Sequence, residues 1–361
     1  MALVIPFVRP RERTPRQFRA AVTLAGGSML LVAAMLMAFC IGAVPISVDT
    51  VFSVVLAKTG LISDEGIASR DLLVVWSIRL PRVIAGCAIG SCLALAGATM
   101  QGLFRNPLAD PGLIGVSSGA ALAAVTVIVL GGNVLAAMEP WMRPFALPAA
   151  AMTGGLAATW IVYRLGTVGG QTMIATTLLA GIAINAIAQS GVGFLVFLSD
   201  EQQLRDLSFW TLGSVAGVTW STLLPALAVM VVPLLVLPML AGALNAMLLG
   251  EREAFHLGHV PERVKIQAIG LSAVAVGAAV SISGTIGFVG LVIPHIVRLL
   301  CGPDHRYVLP GSIIFGSALF LLADLLSRTV VLPAEMPVGV ITALVGGPFF
   351  IWLLMRRRDW G

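Results

Sequence analysis

The chain of 361 residues is 58% apolar and 11% charged, with a mean hydropathy of +1.00. A soluble domain carries about 25% charge because its surface faces water, so a lone soluble enzyme is excluded. The composition is that of an all-α membrane protein, with enough apolar sequence for about ten transmembrane helices of ~20 residues. The net charge of +5 is concentrated at the chain ends and loops, as membrane topology requires, so no nucleic-acid partner is expected.

In chain order, residues 1–20 form a basic arm with Arg9, Arg11, Arg13, Arg16 and Arg19. The first apolar run, 22–44, exceeds the roughly 7–15 residues of a secretory h-region and has no A-x-A site, so it reads as a retained helix. Further spans are expected at 81–104, 112–132, 145–164, 173–198, 222–243, 266–282, 284–300, 308–327 and 337–355. Together, 21–355 form one membrane domain, followed by a basic tail, 356–361. The run from Ile266 to Val297 carries no Asp, Glu, Lys or Arg; its Ser281–Gly284 break argues for two spans. The piece from Trp210 to Trp220 is too short to cross and reads as a helix lying at the membrane face, aromatic at both ends. With ten spans and both termini cytoplasmic, most of the 22 Lys and Arg residues fall inside, as the positive-inside rule demands. Cys40, Cys87, Cys92 and Cys301 form no C-x-x-C pair and read as helix-packing residues.

Chemistry-bearing motifs are absent from the sequence. There is no G-x-x-x-x-G-K-[ST] loop, no H-E-x-x-H, no G-x-S-x-G and no paired-cysteine metal site. No catalytic residue, metal site or bound cofactor is therefore expected. His256 and His259 read as solvent-facing or interface residues.

Three hydrophilic islands remain. Arg105–Gly112, with two prolines, is a rigid turn on the cytoplasmic side. Leu244–Lys265 is a mixed-charge insertion, in which Gly258 stops one short helix and Pro261 begins another, giving a docking surface. The third is the outer face, with Asp200–Asp206 and the helix-end cations Arg79, Arg82 and Arg328. Asp324 and Arg328, four apart, are expected to pair within one helix. Asp324 is the nearest approach to an intramembrane proton carrier, and a structural role is favoured for it.

The segments RLPRVIAGCAIGSCLALAGATMQGLFRNPLADPGLIGVSSGA (79–120), LNAMLLGEREAFHLG (244–258), SGTIGFVGLVIPHIVRLLCGPDHR (283–306) and LADLLSRTVVLPAEMPVGVITALVGGPFFIWLL (322–354) resemble the FecCD-type permeases of bacterial ABC importers for iron chelates, haem and vitamin B12. The resemblance implies a type II importer permease in the bacterial inner membrane: a homodimer of ten-helix subunits. Two separate ATPase subunits would hold ATP and Mg, and a periplasmic binding protein would deliver the cargo. It also implies coupling helices at about 246–263, with Gly250, Glu251, Arg252, Glu253, Ala254, His256, Leu257 and Gly258 seated in the ATPase. Arg79, Arg82 and Arg328 would meet acidic residues of the binding protein, and Asn106 and Leu108 would stand at the cytoplasmic gate. Residues 178–217, particularly QLRDLSFWTLGS, look most like the haem branch. Arg205 would then lie at the outer mouth of the path, facing haem propionates. A ferric siderophore is the alternative cargo and cobalamin a more distant one. An ion-coupled secondary transporter would need ionisable groups at mid-membrane, and Asp324 alone comes close.

Overall fold

The computed structural model describes residues 15–42, 44–63 and 66–358, with side chains except at 354 and 356–358. Most of the basic arm 1–20, and positions 359–361 of the tail, lie outside the described residues.

Helix α1 (Pro15–Cys40) is followed by α2 (Val48–Lys58), whose first turn is capped by the Ser47 hydroxyl accepting from Thr50 N–H. Next come α3 (Ser69–Leu72), a π-helical turn over Leu73–Arg79, and α4 (Leu80–Leu103). The widened turn has a local cause. Pro81 has no N–H to give the carbonyl four residues back, and its ring crowds that carbonyl. The backbone opens to i→i−5 bonding, seen where Leu80 N–H reaches Val75 O.

A 3-10 turn at Pro111–Ile114 leads to α5 (Val116–Leu130), then α6 (Gly132–Ala137) and α7 (Arg143–Gly166). Strands β1 (Thr167–Val168) and β2 (Gln171–Thr172) form a minimal antiparallel hairpin. Its two loop residues, Gly169 and Gly170, both have positive φ, as the favoured two-residue turn requires. Helix α8 (Ile174–Leu198) precedes α9 (Glu201–Leu212), which opens with a capping box between Asp200 and Gln203. Helix α10 (Trp220–Val236) continues through a 3-10 turn into α11 (Ala241–Leu249). The chain ends with α12 (Glu251–His256), α13 (Pro261–Ser283), α14 (Val289–Cys301), α15 (His305–Ser327) and α16 (Val338–Arg358).

Seven helical runs are long and apolar enough to cross a membrane, and three shorter apolar helices, Val116–Leu130, Val289–Cys301 and Val338–Leu353, accompany them. Each of the ten expected spans falls on one of these. Three local readings need correction. The short outer helix is Glu201–Leu212, not Trp210–Trp220, because the Asp200 capping box starts it early and Gly213, at φ 73°, stops it. The α13–α14 break is real but longer than expected, since Gly284 and Phe288 both have positive φ and α14 starts at Val289. Helix α2 lies within a stretch where no element was expected.

Helix α4 is the centre of the bundle: 89% of its apolar window is buried, against 17% for α8. Glycines let its neighbours approach to backbone contact. A Cβ on Gly90 would lie 2.3 Å from the Gly316 carbonyl of α15, and one on Gly97 would lie 1.9 Å from the Gly290 carbonyl of α14. Between lipid-embedded helices, such close packing replaces the missing hydrophobic force. The exposed sides of α8 and α10, with Leu179, Ile182, Phe194, Leu224 and Leu235 outward, suit contact with lipid or another apolar helix.

Candidate gates and docking surfaces

At the outer end, Arg79, Arg82 and Arg328 come together, as their helix-end positions suggest, but they turn inward. They are 4%, 7% and 6% exposed. The guanidinium of Arg82 donates through Nε and Nη2 to both carboxylate oxygens of Asp324, at 2.8–3.1 Å, and through Nη1 to Glu335 at 2.9 Å. The expected Asp324–Arg328 pair is present but looser, at 3.7 Å. Arg328 also donates to the Ala38 carbonyl at 2.8 Å, and Arg79 donates to the carbonyls of Phe39 and Val44. Ala38 and Phe39 lie in the last turn of α1, where carbonyls lack intrahelical partners and the dipole favours cations. Two of the three arginines therefore cap α1, and the third binds two carboxylates. Together they line a small outer cavity of about 190 Å³ with Gly42, Pro333 and Glu335. Glu335 was not singled out from sequence; its position before Pro337 between two spans offered no periodic signal.

Helix α9 presents Arg205 on its exposed face. The helix is held by Leu207, which is buried with Val125 and Leu195, and by Gln203 Nε2 donating to Val129 O at 3.3 Å. No carboxylate lies within salt-bridge distance of Arg205 among the described residues.

On the opposite side, the Arg105–Gly112 turn is built as its prolines suggest. Asn106 Oδ1 accepts from Leu108 N–H at 2.9 Å, and Asp110 Oδ1 accepts from Gly112 N–H at 2.7 Å. Asn106 is exposed and Leu108 half-buried. The end of the turn is seated against α8. Asn185 Nδ2 donates to Gly112 O at 3.1 Å, the Ser118 hydroxyl donates to Asn185 Oδ1, and a Cβ on Gly181 would lie 1.7 Å from Leu113 O. Asn185 lies about 16 Å along α8 from Ile174, so this irregular backbone reaches membrane depth. Such backbone is tolerated there when protein buries it or a cavity adjoins it. It also meets the first turn of α14, since Pro111 Cδ lies 3.3 Å from a Cβ built on Gly290. Asn185 was missed from sequence because one amide in an apolar run reads as packing.

The insertion forms one of the two expected short helices, α12; Pro261 instead opens the long helix α13, which runs unbroken to Ser283 because no further proline follows Pro261 before Gly284. Gly250 and Gly258, at φ 134° and 88°, bound α12. Arg252, Glu253, His256 and Leu257 are exposed, whereas Ala254 is buried. Phe255, absent from the expected set, is 62% exposed. Glu251 faces the body of the protein, where Lys265 Nζ donates to it at 2.8 Å, with Glu262 at 3.2 Å. Lys265 is buried and also donates to the Thr172 carbonyl at 2.8 Å, while Thr172 N–H donates to Glu262. A polar tie on the preceding element joins α11 to α15: Asn245 Nδ2 donates to Asp304 at 2.6 Å and its Oδ1 accepts from His305 N–H at 2.9 Å.

The comparisons agree with this architecture. Residues 30–356 match the model of the FecCD transport family. The chain is 47% identical over 287 residues to a hemin transport system permease protein of Yersinia pestis, covering 79% of this chain and 84% of that one. It is 41% identical over 293 residues to a cobalamin import system permease protein of Halobacterium salinarum, covering 81% and 76%. A solved inward-facing structure of a metal-chelate type ABC transporter superposes with a TM-score of 0.80 at 30% identity, covering 93% of this chain and 99% of that one.

Proposed function

The chain belongs to the FecCD transport family as the multi-pass permease of an ABC importer, and from that premise we propose that it carries haem inward across the bacterial inner membrane. It works as a homodimer, with its N and C termini in the cytoplasm. Two ATPase subunits, which hold the ATP and Mg, seat on α12, and a periplasmic binding protein delivers cargo at the α9 end. The permease itself supplies a path and two gates. Closure of the ATPases on ATP displaces α12, and access alternates between the outer mouth and the 105–115 turn. Haem is broad and mostly apolar, so weak, divided contacts along the path favour its release.

The observation that carries the haem reading is Arg205, exposed on α9 with no internal carboxylate among the described residues. An unpaired guanidinium at a mouth suits a propionate, which it binds as a two-pronged donor. The identity to the hemin permease supports the same reading. The ferric-siderophore and cobalamin alternatives rest on the metal-chelate and cobalamin relatives. Adding haem-loaded binding protein to the reconstituted complex should stimulate ATP hydrolysis, and Arg205→Ala should weaken haem transport while leaving the assembled complex intact. Stimulation by a ferric siderophore or cobalamin but not by haem would overturn the cargo.

The outer arginines enter this proposal in a changed form. With Arg79, Arg82 and Arg328 turned inward, a binding protein's carboxylates meet them by entering the cavity they line beside half-exposed Glu335. Asn106 and Leu108 lie on the inner turn, at the cytoplasmic gate.

A further inference from the structure

Helix α12 is six residues long and has positive-φ glycines at both ends. So short a helix is not stable by itself. Its hold on the rest of the protein comes from Ala254, which is buried, and from Glu251. Glu251 meets Lys265, on the second turn of α13, with its amine buried between Glu251, Glu262 and the Thr172 carbonyl. Removing one partner from a buried charge is strongly unfavourable, so these groups keep together when one is displaced. Thr172 is held by both backbone groups, its carbonyl by Lys265 and its N–H by Glu262. Two residues later α8 begins, and α8 carries Asn185 to the Gly112 carbonyl in the gate turn.

We propose that Lys265 is the positioning residue through which displacement of α12 reaches α8 and, by way of Asn185, the 105–115 turn. The other polar tie, at Asn245, lies on α11, before Gly250, and leads to α15. It holds the base of the insertion, whereas Lys265 holds α12 itself. This inference rests on the reading that an ATPase seats on α12.

The test measures transport and ATP hydrolysis together, in the complex of permease, cognate ATPase and cognate binding protein reconstituted in vesicles. The cargo is whichever of haem, ferric siderophore or cobalamin the wild-type complex accumulates. Lys265→Met should lower the amount transported per ATP hydrolysed by at least about fivefold, the lower end of coupling between linked sites, and Lys265→Arg, which keeps the charge but not the compact head group, should restore only part of it. A variant that merely loses folded complex lowers both rates together and leaves their ratio unchanged. An unchanged ratio in Lys265→Met overturns the proposal and leaves the permease reading standing. If Lys265→Met yields no complex, Glu262→Gln decides, with a smaller fall in the ratio supporting the proposal and no fall refuting it. ATP-independent behaviour of the wild-type complex would overturn the permease reading itself, and this inference with it.

Discussion

Two buried cations, one near each face, have similar company and different connections. At the outer end, Arg82 lies between Asp324 and Glu335 and joins α4 to α15 and to the segment before α16. At the inner end, Lys265 lies between Glu251 and Glu262 and joins the exposed α12 to the α7–α8 hairpin. The two head groups suit their places. A guanidinium presents a planar fork that fixes orientation, while an ammonium is a compact point charge whose three donors accept several geometries. The outer cluster is therefore built to hold a shape, and the inner one to keep contact while its partners shift.

This contrast is broken most severely at Arg82. Arg82→Ala strands the buried Asp324 carboxylate, with Arg328 the nearer remaining cation at 3.7 Å. The expected loss is about 3–5 kcal/mol, read as a large fall in the unfolding temperature of the purified protein. Adding Asp324→Asn should recover part of that loss by removing the stranded charge, and a further fall instead would show that the remaining pair of Asp324 with Arg328 outweighs the cost of the stranded charge. The smallest effect is expected at Glu335, whose side chain is 42% exposed. Glu335→Gln should cost less than about 1 kcal/mol, as solvent-screened pairs do, measured by the same thermal unfolding. A cost comparable to that of Arg82→Ala would mean that the two carboxylates are equivalent.

Much of the fold could be read from hydropathy, because lipid imposes a length and an apolar composition on every crossing. All ten runs from 22–44 to 337–355 fall on apolar helices. Hydropathy was blind to features set by single backbone groups. The π-helical turn follows from the missing N–H of Pro81, and the position of α9 follows from the Asp200 cap rather than from its tryptophans. In the candidate site, the exposure of α12 was legible from its charges and bounding glycines. The inward turn of Arg79, Arg82 and Arg328 was not, because their partners are remote in sequence: the end of α1, Asp324 and Glu335. Lys265 looked like one more cytoplasmic charge for the same reason, since Thr172 lies on a hairpin that no motif marks.

On the proposed function, this permease moves cargo with energy delivered through α12 by a separate ATPase. The most direct measurement is cargo uptake into vesicles carrying this chain, with and without its ATPase and ATP. Uptake is expected when the ATPase, ATP and loaded binding protein are all present, and none when the permease is alone. Accumulation by the permease alone, driven by an ion gradient and indifferent to nucleotide, would contradict it.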